Sequence, residues 1–416
     1  MVYYERIMPH LRKRYLFPIV QHTLKASAIV GVLGQRQTGK TTLVESLAGD
    51  YVTLDDEKQL ELALLASQSF LEDRKPPFGV DECQLSPPLF PALKDHVRKN
   101  KAYGQFILTG SVRFTSVEEI RESLTGRIID LELLPFSLTE AHQLPLTDLH
   151  RLATMTNPMS YLESQLKDAK RNQVLTPQSL EDFALKGGLP GICFLRSSAL
   201  RTKKMRSHLK TILDRDLRRV IRTDLDFLTI KTFIEELVLQ QGLAFDLTQA
   251  ARGARIAVNS ARKLLSGLES VFIIRTLRKA GDTSGRVVFF EDQGMASFLL
   301  SERGRNFSPG NLQVPDYVRL LFQQLNAQAA YRSDLHSSIF SYFSRGGAVV
   351  DLAVQMEGHV LGYSVGKGLQ ASPSQIKSSE SFRRKFPKGR VFLLHQGTAL
   401  RKLNSQTYEV PYRAVL

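Results

Sequence analysis

The chain has 416 residues, of which 43% are hydrophobic and 23% charged. That balance excludes a disordered or fibrous protein and leaves room for roughly two to four domains with cores of their own. A formal charge of +15 favours a polyanionic partner, nucleic acid or an anionic membrane face, although a basic soluble protein without such a partner carries the same balance. Two cysteines, Cys83 and Cys193, have no paired spacing and argue against a disulfide framework or a thiolate metal site.

The N-terminal stretch 1–17 (MVYYERIMPHLRKRYLF) reads as a short amphipathic helix and not as a secretory signal. No apolar run approaches the ~18 residues that span a bilayer, so the expectation is a cytoplasmic protein with no membrane partner. The first 140 residues alternate short apolar runs with helical patterns. Strands are expected at 28–33, 51–54, 78–80, 106–108 and 128–134, and helices at 41–48, 58–69 and 89–100. That alternation predicts a parallel sheet with crossover helices.

After the first strand comes Gly34-Gln35-Arg36-Gln37-Thr38-Gly39-Lys40-Thr41, followed by Thr42, a phosphate-binding loop with every fixed position filled. Its glycines let successive N–H groups turn toward phosphates, and the start of the next helix adds its positive dipole end. Lys40 is expected to pair with the β- and γ-phosphates of ATP, and Thr41 to ligate Mg²⁺. The short strand before Asp81-Glu82 ends in an acid pair: Asp81 to hold the metal through water, Glu82 to polarise the attacking water as general base. Thr109 and Ser111, at the end of the next strand, are candidates to sense the γ-phosphate or orient that water, against a simple turn. Arg127, before the last strand, is a candidate for transition-state charge in cis or in trans, against a plain surface arginine.

The motifs 34–43 (GQRQTGKTTL), 81–84 (DECQ), 108–111 (LTGS), 123–127 (SLTGR) and 133–137 (LLPFS) together resemble a widespread prokaryotic family of AAA+-type ATPases. In that family the ATPase core is followed by a winged helix and a restriction-endonuclease-like domain of uncertain role. The resemblance implies an α/β fold with a P-loop AAA+ core over 1–140, a helical lid or linker over 141–200, a basic helix plus winged helix over 201–285, and an endonuclease-like α/β domain over 286–416. It is compatible with a homo-oligomer and fixes no ring size.

Residues 138–198 read as mostly helical, with a glycine-rich turn at 187–191, and 201–220 as a strongly basic helix. The segment 201–280 holds 17 Lys and Arg against 8 Asp and Glu, a net of +9. Within it, 247–251 and 258–265 read as a helix, a turn and a second helix, with a strand-like run at 271–274 behind. That order suits a winged helix whose second helix enters a major groove, or one that docks a protein instead. In the DNA reading Arg252, Arg255, Arg262 and Lys263 contact phosphates, and Asn259 and Ser260 lie nearest the bases.

Strands return in the tail at 286–290, 348–355, 359–365 and 391–395. Endonuclease-like folds hold Mg²⁺ with an Asp and a Glu-x-Lys. Here the resemblance places the first acid at Asp351, but Ser364 stands where the family has glutamate and Gly366 where it has lysine. Lys367 is displaced onto the other strand face, and Pro315 occupies the usual place of a helix glutamate. The expectation is a tail without nuclease activity, a scaffold or binding surface in which Arg383, Arg384, Lys385, Lys388 and Arg390 either contact anions or form a solvated face. Function is thus expected to be ATP binding and hydrolysis coupled to the C-terminal domains, on DNA; the alternative is a nucleotide-gated protein-interaction switch with slow turnover.

Overall fold

Five of the apolar runs become strands β1 (Ile29–Leu33), β2 (Asp50–Thr53), β3 (Phe78–Asp81), β4 (Phe106–Gly110) and β5 (Ile128–Glu132) in a computed structural model of the chain. The structure describes residues 11–116, 118–281, 285–305, 307, 310–332 and 337–416. Residues 1–10 of the expected N-terminal helix lie outside the described residues, and the first described helix is Leu16–Thr23. All pairings in this sheet are parallel, in the order β2-β3-β4-β1-β5. β1, β3 and β4 are buried along their whole length, which is why they read as continuous apolar runs.

β3 looks weak in sequence because Gly79 interrupts it. A Cβ there would come within 2.8 Å of Val44 Cγ1 and 3.1 Å of Ala48 Cβ. The glycine therefore lets the helix behind the phosphate loop, Lys40–Glu45, pack close against the strand. The expected helix 58–69 is two helices, Glu57–Leu65 and Ser67–Leu71, the first capped by Asp56 through the N–H groups of Lys58 and Gln59.

The chain falls into two units. The first comprises Met1–Pro135, Arg206–Phe227 and Arg262–Ile273; the second comprises Phe136–Met205, Leu228–Ala261 and Ile274–Leu416. This division differs from the boundaries expected at 140, 200 and 285. The stretch read as a basic helix over 201–220 is Ser198–Thr211, a π-helical turn at Ile212–Asp216 and a last helical turn at Leu217–Val220. Most of it belongs to the first unit, because Ile212, Leu213 and Leu217 are buried and Gly267 approaches Leu217 and Ile221 closely. The helical segment expected as a lid, 141–200, shares its core with the tail: Leu152, Leu162, Leu180 and Phe183 lie in one cluster with Phe322, Tyr363 and Tyr408.

The second unit is built on an eight-stranded mixed sheet. Its strands are β6 (Ile274–Gly281), β7 (Arg286–Phe290), β8 (Ser338–Phe343), β9 (Val349–Met356), β10 (His359–Val365), β11 (Arg390–His395), β12 (Arg401–Lys402) and β13 (Thr407–Pro411), in the order β12-β13-β11-β10-β9-β8-β6-β7. Along β11 the side chains alternate: Phe392 and Leu394 enter one core, Val391 and Leu393 the other. The long helix Val314–Tyr331, missed in the sequence, contributes Phe322, which stacks on Phe289 at 4.4 Å. Helix Pro373–Lys385 contributes Phe382 to the other core. Each such buried aromatic contributes about 1.5–3 kcal/mol.

Two expectations are corrected here. The run 271–274 is not a strand, because Phe272 turns the chain with φ 58° before β6 starts at Ile274. The boundary at 285 cuts a hairpin: β6 pairs with β7 on one side and with β8 in parallel on the other, so the strand behind the two helices is part of the C-terminal sheet. Neither cysteine is in a disulfide among the described residues, and both are buried. Among the described residues no helix is long and apolar enough to cross a membrane.

Candidate nucleotide site

Because β4 lies between β1 and β3, the phosphate loop after β1 and the acid pair after β3 flank the tip of β4. Three segments that are distant in sequence thus share one sheet edge, the usual ligand position in a parallel sheet. The loop turns into its helix at Gly39, whose φ of 94° favours glycine. Lys40, 5% exposed, folds back onto the loop and donates to the carbonyls of Gly34 (2.9 Å) and Gln35 (3.0 Å). Burial pushes its pKa down, against the Glu82 and Asp81 carboxylates. A phosphate arriving here exchanges two neutral acceptors for a charged one.

Thr41 Oγ1 donates to Asp81 Oδ2 at 2.7 Å, so the two expected metal ligands already touch. Thr109 Oγ1 donates to Asp81 Oδ1 and accepts the Glu82 N–H at 3.1 Å. Ser111 Oγ donates to Glu82 Oε2 at 3.3 Å. Thr109 and Ser111, the two candidates at the β4 tip, therefore each bind one of the two acids. The Thr41 hydroxyl and the Asp81 carboxylate are oxygen donors of the kind Mg²⁺ takes, and they would hold it as expected, Thr41 directly and Asp81 through water, with phosphate and water completing the shell. Glu82 itself has φ 55°, a sparsely populated conformation found at functional turns.

Tyr51 and Arg14 were not seen as contributors in the sequence, Gln84 entered only as part of the motif at 81–84, and Arg36 only as a position of the phosphate loop. Tyr51 donates to Asp81 Oδ2 at 2.9 Å, and its own pKa is raised by burial and by that carboxylate. Gln84 donates to Glu82 Oε2 and, at 3.3 Å, to Ser111 Oγ. Arg14 donates to the carbonyls of Thr38 (2.5 Å) and Leu134 (2.6 Å), tying the loop to the end of the sheet. Arg36, inside the loop, reaches Glu82 Oε1 at 3.6 Å and donates to Asp216 Oδ2 at 3.0 Å. Burial works against the Arg36 charge, but Asp216 and Glu82 outweigh it and its pKa is raised. Asp216, 1% exposed, comes from the stretch read as a strongly basic helix. The only signal for it was an acid set among arginines at 213–217 (LDRDL).

His208 lies in the same stretch at 1% exposure, with neither ring nitrogen hydrogen-bonded. Burial, Arg36 and Lys40 all push its pKa down, to about 3. Within the loop, Gln35 is 1% exposed and its amide has no partner. Gln37 is exposed, and Thr42 faces solvent from the first helical turn.

Arg127 does not join this site in its own chain. In the β1–β5 register Ile128 pairs with Ile29 and Glu132 with Leu33. Arg127 therefore stands at the opposite end of β1 from Gly34, roughly 20 Å away at ~3.3 Å per residue. It is exposed and donates to the Thr125 carbonyl at 3.3 Å. Of the two roles left open for it, in cis and in trans, this placement does not favour the one in cis.

The helix–turn–helix order of the basic middle is present as Leu247–Gly253 and Val258–Ser270, the first capped by Asp246. Arg252 ends the first helix and Arg255 sits in the turn with φ 56°. Asn259, Ser260, Arg262 and Lys263 lie on the second helix; Ser260 is half-buried and the other five are exposed. In the tail, Asp351 Oδ2 accepts the Val365 N–H at 2.7 Å, and burial raises its pKa to about 6. Ser364 is buried and Lys367 exposed, so neither adds a charge beside it.

Comparison with known proteins agrees with this geometry for the first unit. Residues 26–142 match a family model described as "AAA domain", and residues 177–305 match one described as "Domain of unknown function (DUF8612)". Uncharacterized proteins of Mycobacterium tuberculosis (Rv2008c) and Mycobacterium bovis (Mb2031c) are each 22% identical over 407 residues, 95% of this chain and 83% of theirs. A solved DNA polymerase III gamma subunit-related protein of Thermotoga maritima aligns at a TM-score of 0.24 and 12% identity, over 62% of this chain and 99% of its own. Residues 26–142 are thus similar to AAA domains, which supports a P-loop nucleotide-binding site of the ATPase kind in this stretch.

Proposed function

We propose that the chain binds ATP with Mg²⁺ along Gly34–Thr42, hydrolyses it, and uses the nucleotide state to rearrange its C-terminal unit on DNA. The observation that supports hydrolysis best is the convergence of Thr41, Asp81, Thr109, Ser111 and Glu82 at one sheet edge. Lys40 leaves the loop carbonyls to pair with the β- and γ-phosphates, and Thr41 and Asp81 hold the metal. Mg²⁺ supplies charge neutralisation on the phosphates. Glu82 accepts the proton of the attacking water, with Thr109 fixing the backbone that carries it and Ser111 its carboxylate. Support for DNA is the net +9 over 201–280 and the exposure of Arg252, Arg255, Arg262 and Lys263.

A second reading, a nucleotide-gated protein-interaction switch with slow turnover, is favoured by one observation. Glu82 is engaged by Arg36, Gln84 and Ser111, and a base so occupied turns over slowly until a partner frees it. The test is ATP turnover by the full chain, at known mass in solution, with and without duplex DNA. Turnover that rises with DNA supports the first reading; turnover indifferent to DNA overturns it in favour of the second. For the tail, the Asp351 environment supports a domain without nuclease activity. Mg²⁺-dependent DNA cleavage abolished by Asp351→Ala would overturn that.

A further inference from the structure

The second unit contains a cavity of about 200 Å³ whose polar lining is incompletely paired. Leu239, Leu243 and Leu300 supply its apolar wall, and the first two are large hydrophobic side chains left 47% and 52% exposed at its rim. Gln241 lines it at 2% exposure, and neither its amide nitrogen nor its amide oxygen has a hydrogen-bond partner. Arg319 lines it too, at 2% exposure, with Nε unpartnered. Leaving such groups unpaired costs free energy that a matching ligand would recover.

The carboxylates are also unevenly shared among the lining arginines. Asp316, fully buried, serves two guanidiniums, since Arg305 and Arg319 both donate to it, and among the described residues neither meets another carboxylate. Its remaining partner is the Gln313 N–H at 2.7 Å. Arg303, also on the lining, is already matched by Glu235 and Glu236. Burial lowers the Arg319 pKa to about 10, with the Asp316 carboxylate raising it and the Arg305 charge lowering it. Arg305 and Arg319 thus share one carboxylate, and the buried Arg319 keeps an unpartnered N–H donor in a partly apolar enclosure, where an anionic acceptor is the complement.

We propose that this cavity binds a short, branched aliphatic 2-hydroxycarboxylate. Its carboxylate accepts from Arg319 Nε and the Gln241 amide nitrogen, its hydroxyl donates to the Gln241 amide oxygen, and its alkyl end lies against Leu239, Leu243 and Leu300. At ~30 Å³ per water the cavity of about 200 Å³ has room for a small molecule on the scale of 2-hydroxyisovalerate. A phosphate offers no apolar end.

The test is calorimetric titration of the full chain with 2-hydroxyisovalerate, isovalerate and inorganic phosphate. The expected result is saturable one-to-one binding of the hydroxy acid, at least tenfold weaker binding of isovalerate, and no saturable binding of phosphate. Gln241→Leu removes an unpaired buried amide, so the unliganded protein should unfold at the same or a higher temperature while affinity falls at least tenfold. Leu239→Glu, at the exposed rim, should repel the anion and leave the fold intact. Absence of saturable hydroxy-acid binding, binding unchanged in both variants, or phosphate binding equally well would each overturn the proposal.

Discussion

Arg36 shows most clearly how a single residue changes the reading of the site. In sequence it fills a variable position of the phosphate loop; in the structure it joins the expected base, Glu82, to Asp216, 180 positions further along the chain. Neither contact follows from loop spacing, since both depend on which later segment returns to the loop. Lys40, Thr41, Asp81 and Glu82 were legible because strand, loop and helix fix their places locally. His208 gives a prediction at this scale. Its folded pKa, about 3, lies below the ordinary value of 6.5, so the unfolded chain takes up the proton first as pH falls. Its contribution is complete above about pH 6.5 and is lost as pH drops toward 3. Relative to His208→Gln, the wild-type protein should lose about 1.4 kcal/mol per pH unit below 6.5, or roughly 2 kcal/mol at pH 5. Urea unfolding of both proteins at pH 8 and pH 5 measures this, and parallel losses would refute the assignment.

At the scale of elements, the first sheet was readable because buried parallel strands are apolar throughout and helices alternate with them. The tail was read less completely. Strands β8 and β13 and helix Val314–Tyr331 went unrecognised: the helix buries glutamines and an arginine beside its apolar residues, so its polar positions mark no solvent face. β3 was legible in place but not in its reason, because the use of Gly79 is a contact with another element. Gly79→Val should therefore destabilise the protein by about 1–3 kcal/mol through overpacking against Val44 and Ala48. It should also weaken ATP binding, since the displaced helix carries Lys40 and Thr41. Chemical denaturation and nucleotide titration check both effects, and a variant with wild-type stability would contradict this packing argument.

The whole molecule departs most from a linear reading. Sequence suggests four consecutive blocks, whereas contacts make two interleaved units, each drawing on three stretches of chain. No local pattern announces this, because the helical stretch that ends at Val220 looks the same whichever core it joins. One consequence is specific. The fragment 286–416, expected as a domain, lacks β6, which pairs with both β7 and β8, and lacks the helices of 136–205 that share its core. Expressed alone, it should show no cooperative unfolding transition, whereas a sharp two-state melt would restore the boundary at 285.

The central claim is that the edge formed by β1, β3 and β4 is an assembled hydrolysis site with Glu82 as its base. Its most direct test compares single-turnover ATP hydrolysis and ATP affinity in the wild-type protein and in Glu82→Gln, with Lys40→Ala as the binding control. The account predicts that Glu82→Gln binds ATP like the wild-type protein and hydrolyses it about 10²–10⁴ times more slowly, and that Lys40→Ala loses binding. Wild-type turnover in Glu82→Gln, or wild-type affinity in Lys40→Ala, would contradict it.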